Sequence, residues 1–310
     1  MPALICGSIA YDTIMVFQDQ FKNHILPEQV HILNVSFLVP ELRRNFGGCA
    51  GNIAFNLKLL GGDGLPMGTV GEDFAPYAAW MDEHGLSRVA IKTIDGSFTA
   101  QAYITTDQDD NQITAFHPGA MNAAHEVRVG DVEGITLGMV SPDGRQGMID
   151  HAAQFAEAGI PFVFDPGQGM PLFDGDDLNR FAAQASYLAF NDYEAKLMQE
   201  RTGKSPEQLA REVEAVIVTR GGEGSTIYTR QRHYEIPLAT AQRLVDPTGC
   251  GDAYRGGLLY GLENGLDWEV TGRIASLLGA IKIEHAGTQN HGLSRADFES
   301  RFHDTFGFAL

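Results

Sequence analysis

Apolar side chains along this chain recur in two rhythms. Short β-branched or aromatic runs, ALICGSI at 3–9, GITLGMV at 134–140, PFVFD at 161–165, SYLAF at 186–190 and AVIVT at 215–219, have the length and composition of buried strands. Between them, residues 49–60, 145–158, 192–201 and 250–263 space their apolar positions as a helix with one buried face does. Alternation of the two predicts an α/β fold, a mostly parallel central sheet flanked by helices. Two stretches break the pattern. Residues 13–46, with VHILNVSFLV, and 89–117, with VAIKTI, FTAQAYITT and QITAF, carry strand signals with little helix between them. They predict a small β-sheet lid inserted into one domain spanning 1–310. No internal repeat or low-complexity segment is present.

Composition narrows the partners. An apolar share of 44% with 20% charged residues is that of a globular protein large enough to bury a sizeable core. The net charge of −18 repels polyanions, and the longest basic run is Arg43-Arg44, so nucleic-acid binding is not expected. No run approaches the roughly 18 apolar residues of a membrane span, and MPALICGSIAYD lacks a leader pattern. The expectation is a cytoplasmic protein without membrane contact. Cys6, Cys49 and Cys250 form no CxxC pair, which fits a reducing compartment and no structural zinc.

Chemistry concentrates in VDPTGCGDAYRGGLLYGL, residues 245–262. A strand ending near Val245, a turn over Asp246–Gly249 and a helix from Cys250 would leave free N–H groups where a helix attracts anions. Asp252 lies in that first turn. A carboxylate there repels a resting anion, but it makes sense as the acceptor of a proton from a hydroxyl attacking a bound phosphate. The bland alternative is a favourable first-turn acid.

DPTGCGDAYRGG resembles the signature of the ribokinase-like (PfkB) small-molecule kinases. GSIAYD, LPEQVHILNVSFLV, GGCAGNIAFNLKLLGG, FHPGAM, DPGQG and NDYEAKLM follow in the same order as in bacterial adenosine kinases of that family, over nearly the whole chain. Departures are Cys250 for the common alanine, Tyr254 for Phe, and Gly256-Gly257 for a small-residue pair. None removes a chemical group the family uses.

The resemblance implies Asp252 as catalytic base and the backbone of Gly249, Cys250 and Gly251 as anion hole. It implies Asn191 and Glu194 as an N-x-x-E motif holding magnesium largely through water, chemistry that hard oxygen ligands suit. Asp12 matches the acid that accepts sugar hydroxyls, with Ser8, Gly48 and Asn52 around the ribose. Tyr103 and Phe116 match aromatics that sandwich the base; Phe37 and Phe98 are further aromatics of the lid. Gln168 is a candidate for the purine or ribose. Thr219, Gly221 and the segment Ser276–Gly287 match contacts of ATP, together with Asn191, Gly249 and Gly251.

Other motifs fail. GKS at 203–205 has Met198 where a P-loop needs Gly, and DQDDNQ at 107–112 has Gln112 and Pro118 where a calcium loop needs Gly and Glu, so it predicts a hairpin tip. The expected activity is transfer of the ATP γ-phosphoryl to the 5′-hydroxyl of adenosine, with Mg2+ as cofactor. A sugar or other nucleoside kinase, and a non-catalytic nucleoside-binding protein, are the alternatives. Monovalent-cation dependence and the reactivity of Cys250 stay open, the latter because the helix end favours the thiolate while Asp252 opposes it. Exposed lid strands suggest a homodimer.

Overall fold

The structure is a computed structural model that describes residues 2–25, 34–109 and 111–310. In chain order its elements begin with β1 (Ala3–Cys6), β2 (Ala10–Val16), β3 (Glu41–Gly47), α1 (Cys49–Leu59), β4 (Gly64–Val70), α2 (Ala75–Glu83) and β5 (Ile91–Thr93). There follow β6 (Ala100–Thr106), β7 (Gln112–His117), β8 (Leu137–Val140), α3 (Arg145–Ala158), β9 (Phe162–Phe164), α4 (Gly175–Gln184), β10 (Tyr187–Asn191) and α5 (Asp192–Thr202). The chain ends with α6 (Pro206–Leu209), β11 (Ala215–Thr219), β12 (Ser225–Thr229), β13 (His233–Ile236), α7 (Cys250–Glu263), α8 (Trp268–Ile283) and α9 (Arg295–Phe306).

Nine strands form the main sheet in the order β13-β12-β11-β10-β9-β8-β1-β4-β5, parallel except at the β11–β12 and β12–β13 pairs. Its inner strands bury both faces, which is why they read as unbroken apolar runs. In β1, Leu4 and Cys6 point into a core completed by α3, α4, α5 and α6, while Ala3 and Ile5 point into a second core against α1, α2, α7 and α8. The expected helices match α1, α3, α5 and α7 to within two residues.

The small sheet is separate, ordered β3-β2-β6-β7, with β2 and β6 parallel and the outer pairs antiparallel. Three expectations change here. Of VHILNVSFLV, residues 30–33 lie outside those described and Asn34–Val39 form no strand; the strand is ELRRNFG, a charged edge whose polar residues hide it from an apolar search. VAIKTI contributes β5 to the edge of the main sheet, paired with β4, rather than to the small one. No strand ends near Val245: β13 stops at Ile236, and the N–H groups of Val245 and Asp246 both donate to Ile283 O. The 107–111 segment does join β6 to β7 as a hairpin, with Asp107 accepting from the N–H groups of Asp109 and Asn111.

Candidate active site

Five parallel strands end at one crevice, where α/β sheets bind ligands. β1 delivers Ser8, β8 Asp143, β9 Asp165 and Gln168, β10 Asn191 and β11 Thr219. Helix α7 points its N-terminus into the same crevice. Its seat is tight: a Cβ on Gly256 would meet Asn56 of α1 at 2.7 Å, and one on Gly257 the Ala275 backbone of α8 at 2.6 Å. These two glycines let α7 lie against both neighbours, which fixes where its first turn sits.

That turn begins at Gly249, whose φ of 79° suits glycine. Cys250 N–H turns back to Pro247 O at 3.2 Å, so the thiol residue contributes no free amide. The N–H groups of Gly249 and Gly251 have no partner among the described residues and carry the positive end of the helix.

Two cavities meet here. The first, about 740 Å³, is lined by Ser8, Asp12, Gly48, Asn52, Gly249 and Asp252 on its floor, with Phe116 of the small sheet and Gln168 at its walls. The second, about 720 Å³, is mostly apolar and bordered by Thr219, Gly221, Leu238, Cys250, Gly251 and Ser276. The α7 N-terminus is their partition, with Asp252 on one side and Gly251 on the other.

Asp252 is half-buried, and burial raises its carboxyl to about 7; the Asn52 hydrogen bond and Arg255 oppose this, while Asp165 and Asp12 add to it. Asn52 Nδ2 donates to Asp252 Oδ2 at 2.8 Å. Asn52 is itself held by Gln289, whose Nε2 donates to Asn52 Oδ1 at 3.0 Å and to Tyr77 Oη at 2.6 Å. Trp80 Nε1 then donates to Gln289 Oε1 at 3.0 Å. A carboxylate near pH 7 in a fixed rotamer, facing a cavity and an anion-attracting helix end, is equipped to take a proton.

Asp12 sits on β2, and burial, with Asp246 second, lifts its carboxyl to about 6. A side chain on Gly47 would strike Asp12 Oδ2 at 2.6 Å, so glycine there makes room for the acid. Ser8 Oγ accepts from Cys49 N–H at 3.0 Å, which leaves its own proton for a ligand. Gly48 caps α1.

Tyr103 does not line either cavity. Strand residues alternate faces, so the cavity face of β6 belongs to Ala102, in register with Asp12 and Phe116, while Tyr103 pairs with Thr13 and Ala115 on the other side. Its hydroxyl donates to Gln101 Oε1 at 3.1 Å. Phe98 lies outside the cavity too, and Phe37 packs on Phe17 and Phe21. Residues that the sequence reasoning missed include Thr114, Asn122, Asp143 and Leu172 of the first cavity and Tyr254 of the second. Asp143 carried a signal in SPDG at the end of β8, and Tyr254 lay inside the DPTGCGDAYRGG signature without being given a role; the others carried none.

Asn191 and Glu194 line neither cavity. They form a reciprocal cap on α5: Asn191 Oδ1 accepts from Glu194 N–H, and both Glu194 oxygens accept from Asn191, all at 2.8 Å. Among the described residues no group of three His, Cys, Asp or Glu is arranged to hold a metal. This donor set fits a magnesium ion that keeps its water and is held mainly by phosphates, and does not fit a protein cage.

The Cys250 thiol is pushed up to about 11, by burial first and then by Asp246 and Asp252, against the lowering effect of Lys282. Burial and the two carboxylates thus work against thiolate formation at this helix end. Iodoacetamide at neutral pH is expected to label Cys250 more slowly than free glutathione; faster labelling would contradict its environment.

Comparison with known proteins places these features in a family. The model of the pfkB family carbohydrate kinases matches residues 12–295. The nucleoside kinase of Burkholderia thailandensis, solved in complex with inosine, superposes with a TM-score of 0.91 at 53% identity, covering 99% of this chain and 100% of that one. The same kinase with ADP-inosine gives 0.88 at 55% identity, over 99% and 97%. The nucleoside kinase of Methanocaldococcus jannaschii is 30% identical over 260 residues, 83% of this chain and 85% of its own length. These relatives are nucleoside kinases and not specifically adenosine kinases. With its anion-attracting helix end, the acid in the first turn of that helix and a match that spans nearly the whole chain, this protein belongs to the pfkB family of carbohydrate kinases.

Proposed function

We propose that this chain, an ATP-dependent nucleoside kinase, transfers the γ-phosphoryl of ATP to the 5′-hydroxyl of adenosine, giving AMP and ADP. The observation that carries this is the position of the α7 N-terminus between two cavities of nucleoside size. The nucleoside occupies the first, its ribose hydroxyls on Asp12 and Ser8, its base under Phe116. ATP occupies the second, its triphosphate reaching the amides of Gly249 and Gly251. Asn52 holds Asp252 so that its free oxygen takes the 5′-hydroxyl proton as oxygen attacks phosphorus and the bridging oxygen leaves with ADP. The helix end stabilises charge on the transferring group. Asn191 and Glu194 would hold magnesium through water, and the ion when bound neutralises phosphate charge. The small sheet acts as a lid that excludes water.

The inosine complex of the Burkholderia relative supports a purine site that admits both nucleosides. 5′-Deoxyadenosine tests the assignment. It should compete with adenosine and, offered alone, release no ADP; ADP release with it as the sole acceptor would put the acceptor group elsewhere.

Phe116 is 50% exposed on the cavity face of β7. Phe116→Ala should raise the adenosine KM about tenfold through lost stacking and leave any residual ribose phosphorylation unchanged. A parallel loss of both would make Phe116 a packing residue only. The outer face of the small sheet exposes Leu42, Tyr103 and Ile113, which supports a homodimer through the lid. Light scattering should give twice the chain mass, falling to one with Leu42→Asp; a wild-type monomer would contradict this. The three free thiols support a reducing, cytoplasmic setting, and no helix among the described residues is long and apolar enough to cross a membrane.

A further inference from the structure

Lys282 is fully buried, yet it lines neither cavity. It stands in the last turn of α8, and its ammonium donates to two backbone carbonyls, Asp246 O at 2.8 Å and His285 O at 3.2 Å. Burying an ammonium is costly, and a methionine would fill the same space without that cost. The reason for the charge lies in what it joins. Asp246 opens the turn that leads into α7, and its carboxylate accepts from Thr248 N–H at 2.9 Å and from Gly287 N–H at 2.8 Å. The N–H groups of Val245 and Asp246 are already fixed on Ile283 O. Asp246 therefore ties the turn to the end of α8 through its N–H and carbonyl and to the segment after it through Oδ2, while Oδ1 holds Thr248 within the turn, and Lys282 supplies the cation that its carbonyl faces.

We propose that Lys282 is a positioning residue, a built-in cation that locks the Asp246–Gly249 turn against the end of α8 and so fixes the amides of Gly249 and Gly251 that receive the transferred phosphoryl. Its place between two carbonyl oxygens at a helix C-terminus is one that a small monovalent cation would otherwise fill. The ammonium also puts positive charge behind the helix end. Burial pulls its pKa below that of a free lysine, and the negative charges of Asp246 and Asp252 oppose that shift.

Two consequences follow from a cation carried in the chain. The wild-type enzyme needs no added alkali ion. Shortening the side chain leaves a cation-sized space with both carbonyls still in place. The inference rests on the kinase reading of the site, and a wild-type protein inactive on every nucleoside would sink that reading rather than this one.

The test compares wild type, Lys282→Ala and Lys282→Met in chlorides of tetramethylammonium, sodium, potassium and ammonium at equal ionic strength. Wild-type kcat should stay within about twofold across the salts, because no site is left for them. Lys282→Ala in tetramethylammonium should lose at least about thirtyfold in kcat with adenosine KM changed less than about threefold, since the nucleoside cavity is not touched. Potassium or ammonium should restore at least about tenfold of that loss. Lys282→Met should lose as much and regain nothing, its thioether occupying the space. The proposal is overturned if potassium stimulates the wild type more than about threefold, if either variant keeps wild-type kcat, or if tetramethylammonium rescues as well as potassium. The wild-type salt series needs no variant, so the proposal stays exposed even if both substitutions prevent folding.

Discussion

Asp252→Asn is expected to lower kcat by about 10²- to 10⁴-fold while nucleoside affinity changes little. The amide keeps the shape of the carboxylate and its contact with Asn52, so what is removed is the lone pair that takes the proton. The wild-type pH profile carries the same information. Burial lifts the free-enzyme carboxyl to about 7, and only the ionised form accepts a proton. The value of kcat/KM should therefore rise as pH increases through 7 and level off above it. A flat profile down to pH 5, or a loss below tenfold in Asp252→Asn, would mean that the proton goes elsewhere.

The second large effect belongs to Asp12. Hydrogen bonds to a charged acceptor are worth about 1.5–3 kcal/mol each, and a ribose presents two adjacent hydroxyls to one carboxylate. Asp12→Ala should cut kcat/KM for adenosine by about 10²-fold, mostly through KM, and leave the KM for ATP within about threefold. A further sign follows from the electrostatics. Asp12 is one of the charges raising Asp252, so its removal should move the acid limb of the profile to lower pH. An equal rise in both KM values would end the assignment of Asp12 to the sugar.

Much of this was legible in the sequence for identifiable reasons. Buried parallel strands announce themselves as apolar runs, and Gly249, Gly251 and Asp252 mark a helix start that repels apolar explanations. What stayed hidden was mostly of two kinds. The strand ELRRNFG is an edge whose exposed charges protect it from pairing, so it lacks the apolar signature. Tyr103 and Ala102 differ by one position in a strand, and the period of two puts the small residue in the cavity and the aromatic outside. Aromatic content alone cannot choose between them.

Long-range polar contacts were equally invisible. Gln289 stands 237 positions from Asn52 and 212 from Tyr77, and nothing local marks it as the residue that holds the partner of the base. Asp165 and Arg255 form a buried pair, with Nε to Oδ2 at 2.9 Å, below the same helix turn. Such pairs exist only once β9 and α7 are packed, and they set the field in which Asp252 titrates.

A coupled ADP-release assay across adenosine, inosine, guanosine, cytidine, ribose and fructose tests the central claim most directly. Adenosine and inosine should give kcat/KM values at least about 10²-fold above those for ribose and fructose, because only the nucleosides fill both the sugar floor and the space under Phe116. Ribose turning over faster than adenosine would contradict a nucleoside site and leave a sugar kinase in its place.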